Sequence, residues 1–316
     1  MADAYMHAKL IKEIKTLRKK DLFDDFMLIG SQGPDPMYYG FVHNYHERYR
    51  FFADRMHDTD TSLLFESMFS YAKKHYSKEV YSYIVGFLCH FALDVKIHPY
   101  VYHHVGQYDQ SDKATHHMRG LHLKFERSID AMLIEHDTGK KAHRYNLQQQ
   151  AFPIKKVPQE IKDLYRNVME HRYQFPDGDK MIENSVKSMY RVLRYIVKDS
   201  FGLKKLGYKI LDKIFSKEDM YFSDLSMYHH IEQFDFLNQD HREWTHPYTG
   251  EVFDKSVFNL YEEAVLFATE LIQYFDQYLE GNEEKPVNGM IQNLSFNKGI
   301  ACDDPRPMNH YNIYRK

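Results

Sequence analysis

The chain predicts an all-α protein, a single multi-helix bundle domain, on three observations. Turn-formers are sparse, with 14 Gly and 10 Pro in 316 residues, where about 7% and 5% are usual. Apolar residues recur at spacings of three and four over long stretches, and nothing alternates long enough to demand a sheet. The 43% apolar and 28% charged content is that of a folded, globular chain.

The elements follow in order. Leu10, Ile11, Ile14 and Leu17 mark a first helix over about 3–20, with Lys9, Lys12, Lys15 and Arg18 on its other faces. Two readings fit: a solvated face over a core stripe, or a basic amphipathic helix on an anionic membrane surface. The run Gly-Ser-Gln-Gly-Pro-Asp-Pro at 30–36 then forms a constrained loop. Helical spacing resumes over about 39–55, 62–74, 78–96 and 115–135, and again over 158–172, 179–198, 202–215 and 256–279. Between 214 and 254 lies an irregular, aromatic-rich insertion with His229, His230 and the only tryptophan, Trp244. Residues 1–280 read as one helical domain and 281–316 as a linker and C-terminal tail.

Charge and cysteine usage narrow the function classes. Lys and Arg number 42 against 45 Asp and Glu, so the balance carries no nucleic-acid footprint. Two cysteines, Cys89 and Cys302, make no disulfide framework and no Cys-rich zinc module. With no apolar leader pattern after Met1 and no run of about 18 apolar residues, a reduced, cytoplasmic setting is expected.

Histidine is in excess, 20 residues, with fourteen at or before His143, and a metal site is the first hypothesis. His90 and Asp94, four apart in an otherwise apolar helical run, project from one face. A carboxylate there must be paired or bound to a metal, since burying it uncompensated costs several kcal/mol. His98 adds a third donor one turn on, with Pro99 suggesting that the helix ends close by. His122, Glu126 and Asp130 repeat the spacing of four on the next apolar helix, and a His-carboxylate pair supplies two of the ligands zinc needs. His7 beside the first stripe reads as ligand or as core histidine. Asp35 in the Gly-Pro loop reads as turn aspartate or as site residue. His57 heads a His-Asp-Thr-Asp run. For His43, His46, His75, His103, His104, His136 and His143 the solvated surface is the expectation.

Taken in order, His7, the Gly-Pro-Asp loop at Asp35, His57, the block Gly-Phe-Leu-Cys-His-x3-Asp-x3-His-Pro at 86–99 and His122-x3-Glu126 resemble the zinc-dependent phospholipase C family. That family is all-helical, with a metal core similar to that of single-strand-specific zinc nucleases. The resemblance is strongest over 5–135. It implies one zinc held by Asp35, His57, His90 and Asp94, a second by His98, His122 and Glu126, and a third sharing Asp94 with His7. His116 or His117 is an alternative to His98. It also implies Asp35 as general base and a phosphodiester or phospholipid substrate, with Tyr38 and Tyr39 nearest to where a head group would lie. Iron or manganese would accept similar ligands. Two other readings compete: an HD-type metal phosphohydrolase using His57 and Asp58, and a non-catalytic helical protein that is metal-stabilised or lipid-binding. A di-iron bundle fits worse, because it wants Glu-x-x-His pairs.

Overall fold

The computed structural model describes residues 4–18, 22–42, 46–215, 221–228 and 234–314. Helix α1 (Ala4–Arg18) buries Leu10, Ile11 and Ile14 completely, while Leu17 stays outside. Lys9 pairs with Asp137 at 2.7 Å, and Lys15 and Arg18 pair with Asp24 and Asp276. The apolar stripe of α1 therefore faces protein, and three of its cations clamp neighbouring elements. Of the two readings of this helix, the core stripe is the one the fold adopts.

The short helix α2 (Asp24–Gly30) runs into a 3-10 turn, Asp35–Val42, and helix α3 (His46–Asp58) follows. One helix was expected over 39–55. His43 and its neighbours at 44–45 lie outside the described residues. Helix α4 (Thr61–Lys74) leads to α5 (Lys78–Val105), which Ser77 caps by accepting from the Val80 amide at 3.1 Å.

Helix α5 is the axis of the domain. Its 28 residues are long and apolar enough to cross a membrane by length and composition, yet 94% of the 18-residue apolar stretch within it is buried inside the fold. It also runs past Pro99, where the sequence predicts an end. Proline removes the amide that would bond to the Val95 carbonyl and crowds that group. Here the chain makes room at Gly299, where a Cβ would sit 2.7 Å from the Val95 oxygen and 2.8 Å from the Pro99 ring. The extension carries His103 and His104 inward. His103 is 6% exposed, and His104 stacks on Phe125 at 5.2 Å, so neither is the surface residue expected.

The predicted helix over 115–135 divides at Gly120 into a 3-10 turn, Lys113–Met118, and α6 (Leu121–Thr138). Gly120 has φ of 70°, outside the right-handed helical region, so the helix breaks there; a Cβ would meet Tyr221 at 2.5 Å, which keeps the position glycine. Helices α7 (Leu147–Ala151), α8 (Gln159–Tyr173) and α9 (Gly178–Val192) follow, the last relaxing into a π-helical turn, Leu193–Val197, then α10 (Leu203–Phe215).

The aromatic-rich insertion contains a two-stranded antiparallel hairpin, β1 (Trp244–Thr245) with β2 (Val252–Phe253). Two residues per strand are too few to leave an alternation signal. Trp244 is buried, its ring against Tyr100 at 5.4 Å and its indole donating to the Lys255 carbonyl at 3.0 Å. His229 and His230 lie outside the described residues. Helix α11 (Val257–Glu280), opened by a capping box of Ser256 and Asn259, packs along α5, and α12 (Val287–Ile291) lies on α4. Within 281–316, expected as linker and tail, Phe296 is fully buried and Tyr314 is 5% exposed.

Candidate metal centre

Two helices cross at glycines to build one wall of the site. A Cβ on Gly30 would lie 2.1 Å from the Tyr83 carbonyl, and one on Gly86 would lie 2.3 Å from that of Met27. With both side chains absent, α2 lies on the backbone of α5 and delivers the 31–35 loop onto the next turn, at His90. Gly33 then adopts φ of 49° directly over the His90 ring, where a Cβ would be 2.2 Å from Cδ2. The Gly-Pro loop is a lid whose small residues let Asp35 descend beside His57 and His90.

Four ring orientations are set by this framework. His57 Nδ1 is 2.8 Å from the Ala53 carbonyl, His90 Nδ1 is 3.2 Å from that of Ser31, and His98 Nδ1 is 2.9 Å from that of Phe296. A carbonyl only accepts, so each Nδ1 carries a proton, and each ring, when neutral, presents a lone pair at Nε2. His7 stacks on His90, centroids 4.2 Å apart. Its helix is held at its N-terminus by Asp130, which accepts from the amides of Tyr5 and Met6 at 2.7 and 3.0 Å.

The Nε2 atoms converge on buried carboxylates. His90 Nε2 is 3.0 Å from Asp94 Oδ2, His7 Nε2 is 3.4 Å from Asp94 Oδ1, and His57 Nε2 is 3.3 Å from Asp35 Oδ1. On the other side of Asp94, His98 Nε2 lies 3.8 Å from Oδ1 and 3.3 Å from Glu126 Oε1, and His122 Nε2 is 2.9 Å from the same Glu126 oxygen. Three groups of donors, His7-His90-Asp94, Asp35-His57-His90 and His98-His122-Glu126, each have ligand atoms within 4.8 Å of one another.

These contacts fit a cation. Both oxygens of Asp94, Oδ1 of Asp35 and Nε2 of His7, His57 and His90 are buried and make no hydrogen bond. Lone pairs facing lone pairs in a dry interior repel, and each unsatisfied group costs about 1–3 kcal/mol. A divalent ion removes both penalties, and an all-imidazole-and-carboxylate donor set suits zinc. The outer hydrogen bonds from ring to main chain are those that orient metal ligands.

Electrostatics point the same way. Burial alone would raise the Asp94 carboxyl, but His90 and His98 hold it well below the usual carboxylate range. Burial would likewise raise Glu126, and His122 overrides it downward. Burial pushes His7 down to about 3, reinforced by His90 beside it. Burial would lower His57, but the Asp35 carboxylate beside it overrides that and moves it up. His122 is lowered by burial, although its side chain is the most open of the set at 29%. The entrance lies on the side of His122.

All eight residues expected as ligands are thus brought together. His116 and His117, the alternatives to His98, sit exposed in the 3-10 turn, and His116 Nε2 faces the Gln110 carbonyl at 3.1 Å. Asp130, on the face of His122 and Glu126, serves the end of α1 instead. Of the tyrosine pair, Tyr38 lies half-buried with its ring 5.6 Å from that of His57, its hydroxyl donating to Asp54 at 2.7 Å. Tyr39 turns into the hydrophobic core, because successive residues of a 3-10 turn point about 120° apart. Asp58 turns away from His57: it accepts from Ser295 and, at 2.6 Å, from Asn297.

Two residues at the centre had no sequence signal that marked them. Phe296 packs against His57 at 5.1 Å and His90 at 5.7 Å, its amide bonds to the His57 carbonyl at 2.9 Å, and its carbonyl holds His98. It lies in a turn with no periodicity. Tyr102, 4.9 Å from the His122 ring and 6.0 Å from His98, stands four residues past His98. That spacing becomes readable only once α5 is known to pass Pro99.

Comparison with curated proteins and with solved structures gives no match. A family model described as zinc dependent phospholipase C matches residues 5–192, more than half of the chain, and that span contains every one of the eight clustered residues. With an all-helical fold around them, the chain belongs to the zinc-dependent phospholipase C family.

Proposed function

We propose that the protein is a metal-dependent hydrolase of phosphate diesters with phospholipase C-like chemistry. The observation that supports this most directly is a buried cluster of unpartnered atoms: Nε2 of His57 and His90, each ring fixed by a carbonyl behind it, opposite oxygens of Asp35 and Asp94. In this reading Asp35, His57, His90 and Asp94 hold one zinc, His98, His122 and Glu126 a second, and His7 with Asp94 a third. Such ions supply Lewis acidity that offsets the charge of a phosphate diester and acidifies water at neutral pH.

The chain's own residues supply the rest. Asp35, with 4% of its side chain exposed, sits where the loop meets the cluster and acts as general base, taking the proton of the attacking water on its carboxylate. His57 steadies that carboxylate at 3.3 Å. Substrate enters past His122, and Tyr38 offers an aromatic edge beside His57 to the head group or ester. Helix α1 and the Gly33 lid exclude bulk water from the remaining sides, which strengthens each charge interaction inside. With Cys89 and Cys302 both free, a reducing compartment suits the protein. The HD-type reading needs Asp58 as a ligand, and that carboxylate is engaged by Ser295 and Asn297 instead.

Elemental analysis of protein purified without added metal tests the centre, paired with turnover of phosphatidylcholine and of diester nucleotides. About two to three zinc ions per chain are expected, with turnover abolished by chelation and restored by zinc. Metal-free protein, or diester turnover indifferent to chelation, refutes the reading.

A further inference from the structure

Helix α10 is amphipathic and turned inside out. Its polar face holds it to the body: the Tyr208 hydroxyl donates to the Ile196 carbonyl at 3.1 Å, Asp212 accepts from the amides of Phe222 and Ser223, and Lys204 Nζ donates to the carbonyls of Tyr195 and Lys198 at 2.7 and 2.6 Å. Asp199 accepts from the amides of Lys204 and Lys205 at 3.3 and 2.8 Å and fixes the helix start. The opposite face carries Leu203, Leu206, Ile210 and Ile214, which recur at helical spacing and are 72%, 63%, 56% and 62% exposed. Phe201, just before the helix, and Phe215, its last residue, are also 83% and 60% exposed, and no residue of α10 is buried. The hydrogen bonds that anchor the polar side point the apolar side away from the protein.

We infer that α10 docks the protein on an anionic phospholipid surface, lying in the interface with its stripe among the acyl chains. Charge selects this occupant. Lys209 and Lys213 are exposed and lie on the flank next to Leu206, where anionic head groups would neutralise them. Pairing of the stripe with a second copy of itself would bring the same cations together. Apolar stripe plus flanking lysines is the composition of interfacial helices, and each lysine near an anionic surface adds about 1 kcal/mol. The placement suits the entrance described above. The 3-10 turn Phe222–Leu225, to which Asp212 is tied, receives the Arg127 guanidinium of α6 at 3.1 Å, and Tyr221 abuts Gly120, two residues before His122.

The test is co-sedimentation of the full-length protein with vesicles of phosphatidylcholine alone and of phosphatidylcholine with phosphatidylglycerol. Wild type should partition onto the mixed vesicles and be weakened by salt. L206E/I210E should bind about tenfold more weakly or worse with an unchanged melting temperature, since both positions are exposed. K209E/K213E should lose about tenfold or more on the mixed vesicles alone. Wild type that binds neither vesicle, L206E/I210E that binds as wild type does, or a dimer that L206E/I210E dissociates in place of vesicle binding overturns the inference. Turnover of a soluble short-chain diester, unchanged in both variants, is scored separately, so failure of the docking helix and failure of the hydrolase reading are distinguishable.

Discussion

Replacing Phe296 by alanine tests whether the C-terminal segment belongs to the metal centre. The ring is fully buried and lies 4.8 Å from Phe91, 5.1 Å from His57 and 5.7 Å from His90. Truncating a buried phenylalanine removes its transfer energy and leaves a cavity, together about 3–5 kcal/mol. For a chain of this size that corresponds to a fall of roughly 5–8 °C in melting temperature. The cavity would open against two imidazoles whose orientation depends on close packing, so metal affinity should fall by about 10- to 100-fold, the usual effect of losing support behind a ligand. Differential scanning calorimetry gives the first quantity and competition with a chromogenic chelator the second. Phe296→Leu should recover part of both, since leucine refills much of the cavity that alanine leaves. If alanine lowers stability while metal affinity stays at the wild-type value, Phe296 is core packing alone and the argument for its role behind the ligands fails.

Three further outcomes are expected. Asp35→Asn should leave the helical content intact and lower diester turnover by about 10²–10⁴-fold, the usual contribution of a general base; turnover at the wild-type level would remove Asp35 from that role. Asp130→Ala leaves two amides at the start of α1 without their acceptor, which should cost about 2–4 kcal/mol in urea unfolding and reduce zinc stoichiometry through His7; an unaltered unfolding midpoint would contradict it. Burial pushes His104 and His246 from an ordinary value of 6.5 down to about 3 and about 4. The folded protein therefore holds fewer protons than the unfolded chain below pH 6.5. Their stabilising contribution is whole above that pH and is lost as pH falls toward 4. Urea midpoints should drop from pH 7 to 5 and drop less in His104→Phe; equal slopes for the two proteins would show that His104 does not titrate as described.

Much of the site was legible because it is carried by local spacing. His90, Asp94 and His98 share one face of α5, and His122 and Glu126 share one face of α6, as intervals of four require wherever a helix forms. Asp35 stood out because its loop concentrates two Gly and two Pro. The fold class followed from helical periodicity, and the family resemblance joined the separate motifs into one ligand set. Where the reading went astray, the cause was non-local. Helix α5 passes Pro99 because Gly299, two hundred residues on, leaves room at the Val95 carbonyl. The 115–135 helix breaks at Gly120, which takes φ of 70° with Tyr221 packed where a side chain would stand. His103 is buried and His104 half-buried because the insertion at Thr245 and the segment at Asn312 and Tyr314 close over them.

The sequence by itself determined which residues have the chemistry to hold metal and which of them share a helix face, since an interval of four becomes a shared direction as soon as the helix hydrogen bonds form. Only the tertiary structure decided that His7, from α1, meets Asp94, that Phe296 closes behind His57 and His98, and that α10 rather than α1 presents its apolar stripe to the outside. The two amphipathic helices look alike as sequence, because a stripe records that apolar residues share a face and not what that face meets. For α1 the partner is the core formed with α5, α6 and α11; for α10 the hydrogen bonds lie on the polar side, and the stripe is left facing solvent.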